Sequence, residues 1–275
     1  MQDILTEEEI HFFNHMAEEV SYAYPPVPEH ISATERRVCV DIGANVGAFS
    51  FYASPRYDHV LALEPVDKNY KMLKKVKESE GLHNVDLLQM AVGASDSVDR
   101  EIYVDTSLSG DCSLYEATDT PDADKQTISM VSYRSLLSII HQKYGTHEID
   151  YLKVDCEGGE YEFLWQEDLS NIKTIIMEVH GIPPALKGSG ITEQGFVEHL
   201  LNYFTPTAGC APHLFVGRNP RYMSTKELQA LRETPAWIEG DKKEHLYHWA
   251  EFLYGRQKRY SAKLVEAGYG DADVT

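Results

Sequence analysis

Val38-Cys39-Val40-Asp41-Ile42-Gly43-Ala44-Asn45-Val46-Gly47 is an apolar run that ends in an aspartate and then a glycine turn. Far downstream, Tyr151-Leu152-Lys153-Val154-Asp155-Cys156-Glu157-Gly158-Gly159-Glu160 has the same form. A strand buried on both faces reads as a near-continuous apolar run, and only its end meets solvent. Two such strands therefore present polar groups at one edge, the carboxyl edge where open α/β sheets bind their ligands.

Outward from the first stretch, short apolar runs alternate with amphipathic segments, the βαβ pattern of a parallel sheet. A helix is expected over 46–53 and a second strand at 59–64. The next helix follows Pro65, with Asp67 as its N-cap, Tyr70, Leu73 and Val76 turned inward, Lys71, Lys74, Lys75 and Lys77 turned outward, and a stop at Gly81. A third strand is expected at 85–92 and short strands at 101–104 and 127–131. Between these two lies a polar loop with Leu108-Ser109-Gly110-Asp111-Cys112-Ser113-Leu114, read either as a pocket wall or as a solvated excursion. Ser132 is placed to cap a helix carrying Leu136, Leu137, Ile140 and Tyr144 and closed by Gly145. The fourth strand is expected at 149–154 and the fifth at 172–180, followed by a helix from 192 to about 203 and an apolar run at 214–216.

The two ends read as helical extensions. Thr6-Glu7-Glu8-Glu9 has the capping-box form, with Ile10, Phe13, Ala17 and Val20 on one helical face before Tyr24-Pro25-Pro26-Val27-Pro28. Beyond Ser224, the residues Leu228, Leu231, Trp237, Leu246, Trp249, Phe252 and Leu253 mark helices that pack on the core or on a second copy, with 270–275 as an acidic tail. The expected organisation is an N-terminal helical extension over 1–35, a core domain over 36–218 and a C-terminal helical extension over 219–275. A homodimer through the C-terminal helices is the expected assembly to test.

The chain has 275 residues, of which 43% are hydrophobic, enough for one enlarged core. Its formal net charge of −19 repels a phosphate-lined duplex, so nucleic acid is not an expected partner and a small molecule or glycan is. The acidic start lacks the basic and apolar regions of a signal peptide, and no uninterrupted apolar run approaches spanning length, so a cytoplasmic protein without a membrane partner is expected. Cys39, Cys112, Cys156 and Cys210 form no Cys-x-x-Cys pair and read as reduced thiols.

Glycines after a strand let the backbone approach a ligand and turn into a helix whose first amides face it. Asn45 stands where a dinucleotide fold has its second glycine, and the spacing is Gly-x-x-x-Gly, which points away from a pyrophosphate and toward a nucleoside with an amino-acid tail. A tight turn with no ligand is the structural alternative. Glu64 ends the second strand about 20 residues beyond the glycine turn, where an acidic side chain accepts hydrogen bonds from ribose hydroxyls. On the fourth and fifth strands, period-two alternation puts Lys153 with Asp155 on one face and Glu178 with His180 on one face. These charges are either an internal ion-pair network or the wall of a cleft. With Glu157 and Glu160 they would also suit a divalent metal, though no spacing is diagnostic and the metal stays unassigned.

The order and spacing of these phrases resemble the FkbM family of S-adenosylmethionine-dependent methyltransferases. The resemblance is carried by Val40 to Gly47, Leu63-Glu64-Pro65, Ala91-Val92-Gly93, the Ser109 to Leu114 loop, the phrase Leu152 to Glu160, and Met177-Glu178-Val179-His180. It runs from about 37 to 217. It implies a Rossmann-like class I methyltransferase sheet, α/β, with seven mostly parallel strands, helices on both faces and an antiparallel strand at 213–217. It further implies that Gly43, Asn45 and Gly47 surround the methionine part of S-adenosyl-L-methionine, Asp41 and Asp155 lie near its amino group, Glu64 holds the ribose, and Met90 and Ala91 border the adenine. Cys156 and Gly159 depart from the small aliphatic residue and the alanine usual in the family phrase.

The activity implied is O-methylation of a hydroxyl on a sugar or secondary metabolite, with His180 as base, Glu178 orienting it or binding substrate, and Lys153 beside them. The alternative for His180 is a satisfied core histidine. N-methylation of an amide or peptide side chain stays open, as do a nucleoside-binding module and a nicotinamide dehydrogenase, the last disfavoured by Asn45.

Overall fold

The computed structural model describes residues 5–23, 37–104, 112–115, 124–206 and 214–225. Among these, the first half of the core supplies β1 (Val38–Ile42), α2 (Ala48–Ala53), β2 (His59–Leu63), α3 (Asp67–Ser79) and β3 (Val85–Leu88), preceded by α1 (Glu7–Ala23). The second half supplies α4 (Tyr133–Tyr144), β8 (Ile149–Val154), α5 (Glu160–Leu164), β9 (Ile172–Glu178), α6 (Glu193–Leu201), β10 (Thr205–Pro206) and β11 (Leu214–Arg218). The strands hydrogen-bond in the order β10-β11-β9-β8-β1-β2-β3. From β9 to β3 the neighbours are parallel, and β11 runs antiparallel to β9. The fold is thus α/β with a mixed sheet, and the strand expected near 213–217 does run against its neighbour.

Alternation along each strand feeds two cores. Val38, Val40, Ile42, Leu61, Leu63, Leu152 and Val154 face one side, where Leu136 and Ile140 of α4, Tyr161 and Leu164 of α5, and Phe196 and Leu200 of α6 cover them. Cys39, Val60, Ala62 and Tyr151 face the other, under Phe49 of α2, Leu73 and Val76 of α3, and Phe13 of α1. Truncating any one of the larger aliphatic side chains to alanine is expected to cost about 2–5 kcal/mol. The α4 helix has the anticipated ends: Ser132 Oγ accepts the Ser135 N–H, and Gly145 closes it at φ 69°.

The register brings the strand ends level. Ile42 pairs with Leu63 and Val154, and Val154 pairs with Met177. Gly43, Glu64, Asp155 and Glu178, each next to or at the end of its strand, therefore share one rim.

Several expectations need correction. The single strand expected at 85–92 is two: the chain leaves the main sheet after Leu88, and β4 (Ala91–Gly93) joins a second sheet with β5 (Ser97–Val104), β6 (Cys112–Ser113) and β7 (Asp124–Ser132), in the order β4-β7-β5-β6. That sheet has its own core of Val66, Ala91, Ile102, Leu114, Tyr115, Ile128 and Met130, so Ala91 joins a new cluster while Val92 still packs into the main core with Leu88. Val66, not Asp67, is the N-cap of α3; Asp67 is the first helical residue, paired to Lys71 one turn on. The fifth strand ends at Glu178, leaving His180 beyond it. Most of the loop around Ser109, the proline segment at 24–28, Cys210 and the helices expected beyond 225, with Trp237, Trp249 and Phe252, lie outside the described residues. Cys39 and Cys156 are free thiols. Among the described residues, no helix is long and apolar enough to cross a membrane.

Candidate functional site

The turn after β1 is fixed by its neighbours on the rim. Gly43, Asn45 and Gly47 have φ values of 73°, 49° and 91°, alternating left-handed positions that fold the chain sharply into α2. The N–H groups of Gly43 and Ala44 both donate to the Leu63 carbonyl, at 3.0 and 2.9 Å. A Cβ on Gly43 would sit 1.7 Å from the Asp155 carbonyl oxygen, so the turns after β1 and β8 touch backbone to backbone.

Beneath that contact lies a buried charge cluster. Lys153 Nζ donates to the Gly43 carbonyl at 2.7 Å and lies 3.4 Å from Asp41 Oδ1 and 3.5 Å from Asp155 Oδ2. Asp41 is 0% exposed and accepts the Ser50 hydroxyl at 2.6 Å. Burial alone would lower the lysine, but Asp41 and Asp155 outweigh it and raise its pKa, so it stays charged. Lys153 and Asp41 thus lie under the rim and hold the turn in place, and the Lys153–Asp155 pair matches the internal ion-pair network that the sequence left open as the alternative to a cleft wall. Asp155 is half-buried at the rim itself.

Glu64 is buried, with Oε2 accepting the Asn45 N–H at 2.8 Å and Oε1 accepting the Val66 N–H at 2.9 Å. Burial outweighs these bonds and pushes its carboxyl up to about 7. The Asn45 side-chain oxygen is buried with no hydrogen-bond partner among the described residues. An acceptor left unpaired in a glycine turn fits a ligand that brings its own donor, such as an ammonium or a ribose hydroxyl. Met90 is half-buried against the main core, and Ala91 belongs to the second sheet. Gln126 of β7 straps that sheet to the rim: its Nε2 donates to the Pro65 carbonyl and its Oε1 accepts the Asp67 N–H, both at 3.1 Å.

The other half of the rim gathers carboxylates around His180. Its Nε2 is 3.3 Å from Glu157 Oε2 and 3.9 Å from Glu178 Oε1, and its Nδ1 is 3.2 Å from Glu160 Oε1. Glu157 adopts φ 51°, unusual for a residue with a side chain, and its carbonyl accepts the Ser113 hydroxyl at 2.9 Å from the second sheet. Burial would lower the His180 pKa, but the Glu160 charge and the bonds to Glu157 and Glu160 hold it well above the ordinary histidine value. The ring is therefore an imidazolium at neutral pH and must give up a proton before it can accept one, which qualifies the reading of His180 as a ready base. Ligand-type atoms of Asp155, Glu178 and His180 lie within 4.8 Å of one another, a spacing that would admit a divalent cation without assigning one.

The structure thus brings Gly43, Asn45, Gly47, Glu64 and Asp155 to one end of the rim and Glu178 and His180 to the adjoining end, with Asp41 and Lys153 beneath. Ser50 and Tyr161 carry no role in the sequence pattern, Ser113 falls in the loop read as a pocket wall, and Glu160 belongs to the family phrase and to the optional metal set without a partner of its own. The available signal was that Glu160 opens a helix, where a carboxylate meets unpaired amides.

The family model for the methyltransferase FkbM domain matches residues 41–209. No curated protein matches the chain. Solved structures similar to it include a methyltransferase from Geobacter sulfurreducens, at 12% identity and a TM-score of 0.36, covering 78% of this chain and 90% of that one. The methyltransferase FkbM of Methylobacillus flagellatus KT aligns at 12% identity and a TM-score of 0.30, covering 64% of this chain and 45% of that one. TrmK of M. capricolum, solved with S-adenosyl-homocysteine, aligns at 10% identity and a TM-score of 0.36, covering 99% and 92%.

Proposed function

The chain belongs to the FkbM family of methyltransferases, and from that premise we propose that it moves the methyl group of S-adenosyl-L-methionine to a hydroxyl on a sugar or secondary metabolite. The observation that carries this reading is the 2.7 Å bond from Lys153 to the Gly43 carbonyl. It joins the glycine turn suited to a nucleoside with an amino-acid tail to the strand that leads into the Asp155–His180 cluster. S-adenosylmethionine would supply an activated methyl electrophile, and its sulfonium charge would oppose protonation of a nearby histidine.

The chain's own groups have separable tasks. The Asn45 side-chain oxygen and Asp155 receive donors of the cofactor's amino-acid end, Glu64 turns from backbone amides to ribose hydroxyls, and Met90 and Ala91 border the base. At the adjoining end, the carboxylate oxygens of Glu157 and Glu178 beside His180 suit a substrate rich in hydroxyl donors and disfavour an anionic one. His180, once neutral, takes the hydroxyl proton, with Glu178 beside it. Holding donor and acceptor in line is itself worth on the order of 7–11 kcal/mol of the barrier. The net charge of −19 supports a small molecule or glycan over nucleic acid as the partner, and a cytoplasmic setting fits free thiols.

The test is transfer of tritium from methyl-labelled cofactor into a panel of neutral glycosides, with amides and peptides as the nitrogen-acceptor arm. Label in glycosides supports the reading. Label only in the nitrogen arm replaces the hydroxyl acceptor by an amide or amine.

A further inference from the structure

Glu160 is the first residue of α5, and its side chain is 0% exposed. A carboxylate withdrawn fully from water needs donors for both oxygens. One oxygen, Oε2, accepts the Gly158 N–H at 2.9 Å and has the Cys156 thiol at 3.6 Å, so it is committed to the turn after β8. The other, Oε1, accepts the His180 N–H at 2.8 Å and faces Nδ1 of the same residue at 3.2 Å, so it is committed to the segment after β9. The β8–β9 register runs only as far as Val154 with Met177. Beyond that point Glu160 joins the two chain segments through its side chain.

The neighbouring helical residue completes the hold. Tyr161 is fully buried against Phe196, with ring centroids 4.5 Å apart, and its hydroxyl donates to the His180 carbonyl at 2.6 Å. Consecutive residues of one short helix therefore take both backbone groups of His180, and Glu160 takes one ring nitrogen as well. With Nδ1 tied to the interior, Nε2 is left on the side of Glu157 and Glu178, and among the described residues Asp155 also has a carboxylate oxygen within 4.8 Å of a ring nitrogen.

We infer that Glu160 is the positioning residue of the site: by bonding the turn after β8 and both the backbone and the Nδ1 of His180, it fixes which ring nitrogen faces the acceptor. Under the methyltransferase reading, on which its catalytic meaning rests, this makes Nε2 the atom that takes the acceptor proton. The carboxylate–imidazole pair is the same device by which proteins orient a histidine for chemistry at its second nitrogen.

The test is nuclear magnetic resonance of protein labelled with 15N-histidine, with the His180 ring assigned from the spectrum of His180→Gln, and S-adenosylhomocysteine as the cofactor probe in calorimetry. In the wild type the Nδ1 proton of His180 is expected to be observed and slow to exchange. In Glu160→Gln both ring nitrogens shift and the Nδ1 proton exchanges faster, while affinity for S-adenosylhomocysteine stays within about threefold of wild type. A His180 ring with the same signals and the same Nδ1 exchange in Glu160→Gln overturns the proposal, and so does a wild-type ring whose Nδ1 carries no proton. If Glu160→Gln does not fold, Glu160→Asp keeps the charge and shortens the reach: a shifted Nδ1 signal supports the proposal and an unmoved one overturns it. Failure of the wild type to bind S-adenosylhomocysteine, with the ring signals as expected, defeats the methyltransferase reading and leaves the positioning role standing.

Discussion

The ammonium group of Lys153 donates to the backbone carbonyl of Gly43 at 2.7 Å, so a side chain on β8 supports the turn that follows β1. Asp41 and Asp155 flank the same nitrogen. Removing the lysine leaves two carboxylates, one of them fully buried, without their cation. Lys153→Met is expected to lose about 3–5 kcal/mol of stability and to weaken S-adenosylhomocysteine binding at least tenfold. Urea denaturation and calorimetry measure the two effects, and a variant with unchanged affinity would separate the lysine from the cofactor turn.

Two glycines at nearly the same φ give a matched comparison. At Gly145, with φ 69°, a Cβ would meet nothing within 4 Å, whereas at Gly43, with φ 73°, it would lie 1.7 Å from the Asp155 carbonyl oxygen. Gly145→Ala is expected to cost only the left-handed conformation, about 1–2 kcal/mol. Gly43→Ala must also push the two turns apart, so it should be the less stable variant and lose detectable S-adenosylhomocysteine binding. Equal stability in the two variants would mean that the turns separate freely.

How legible these features were in the sequence depends on where their partners lie. The β8 strand and the α4 caps were read correctly because apolar continuity, Ser132 and Gly145 are local signals. The split after Leu88 was not, because Ala91 and Val92 look like a continuation of Val85 to Leu88 until the antiparallel pairing of β5 with β7 gives them another sheet. The rim residues were identifiable by type and position, but their burial was not: Asp41 and Lys153 read as polar groups at strand ends, and only the contact between the two turns shows that they lie beneath it. Glu160 was hidden for a related reason, since a helix-opening glutamate gives no sign that its far partner is His180.

Glu64 sets a pH dependence whose sign follows from its burial. Its carboxyl titrates near 4.5 when unperturbed and at about 7 in the fold. Between these values the folded chain binds the proton and the unfolded chain does not, so this group's contribution to stability falls as pH rises, and levels off above about 7. The shift corresponds to about 3 kcal/mol. The stability of wild type minus that of Glu64→Gln should therefore decline by that order between pH 4.5 and 8 in urea titrations, whereas a flat difference would show that Glu64 ionises normally. Ribose hydroxyls donating to Glu64 favour its charged form, so S-adenosylhomocysteine binding near pH 7 should release protons, seen as buffer-dependent heats in calorimetry.

His180→Ala removes the group that meets the acceptor while leaving the glycine turn and Glu64 intact. Methyl transfer to any glycoside that takes label should fall by about two orders of magnitude or more, with S-adenosylhomocysteine affinity within about threefold of wild type. Equal transfer rates in the two proteins would remove His180 from the reaction.

The central claim is that the rim formed by Gly43, Asn45, Glu64 and Asp155 binds S-adenosylmethionine, and calorimetric titration of the purified protein with S-adenosylhomocysteine tests it most directly, with NAD as the parallel ligand. The account predicts saturable one-site binding of S-adenosylhomocysteine that Gly43→Ala abolishes, and no binding of NAD. Binding of NAD without S-adenosylhomocysteine, or of neither, would contradict it.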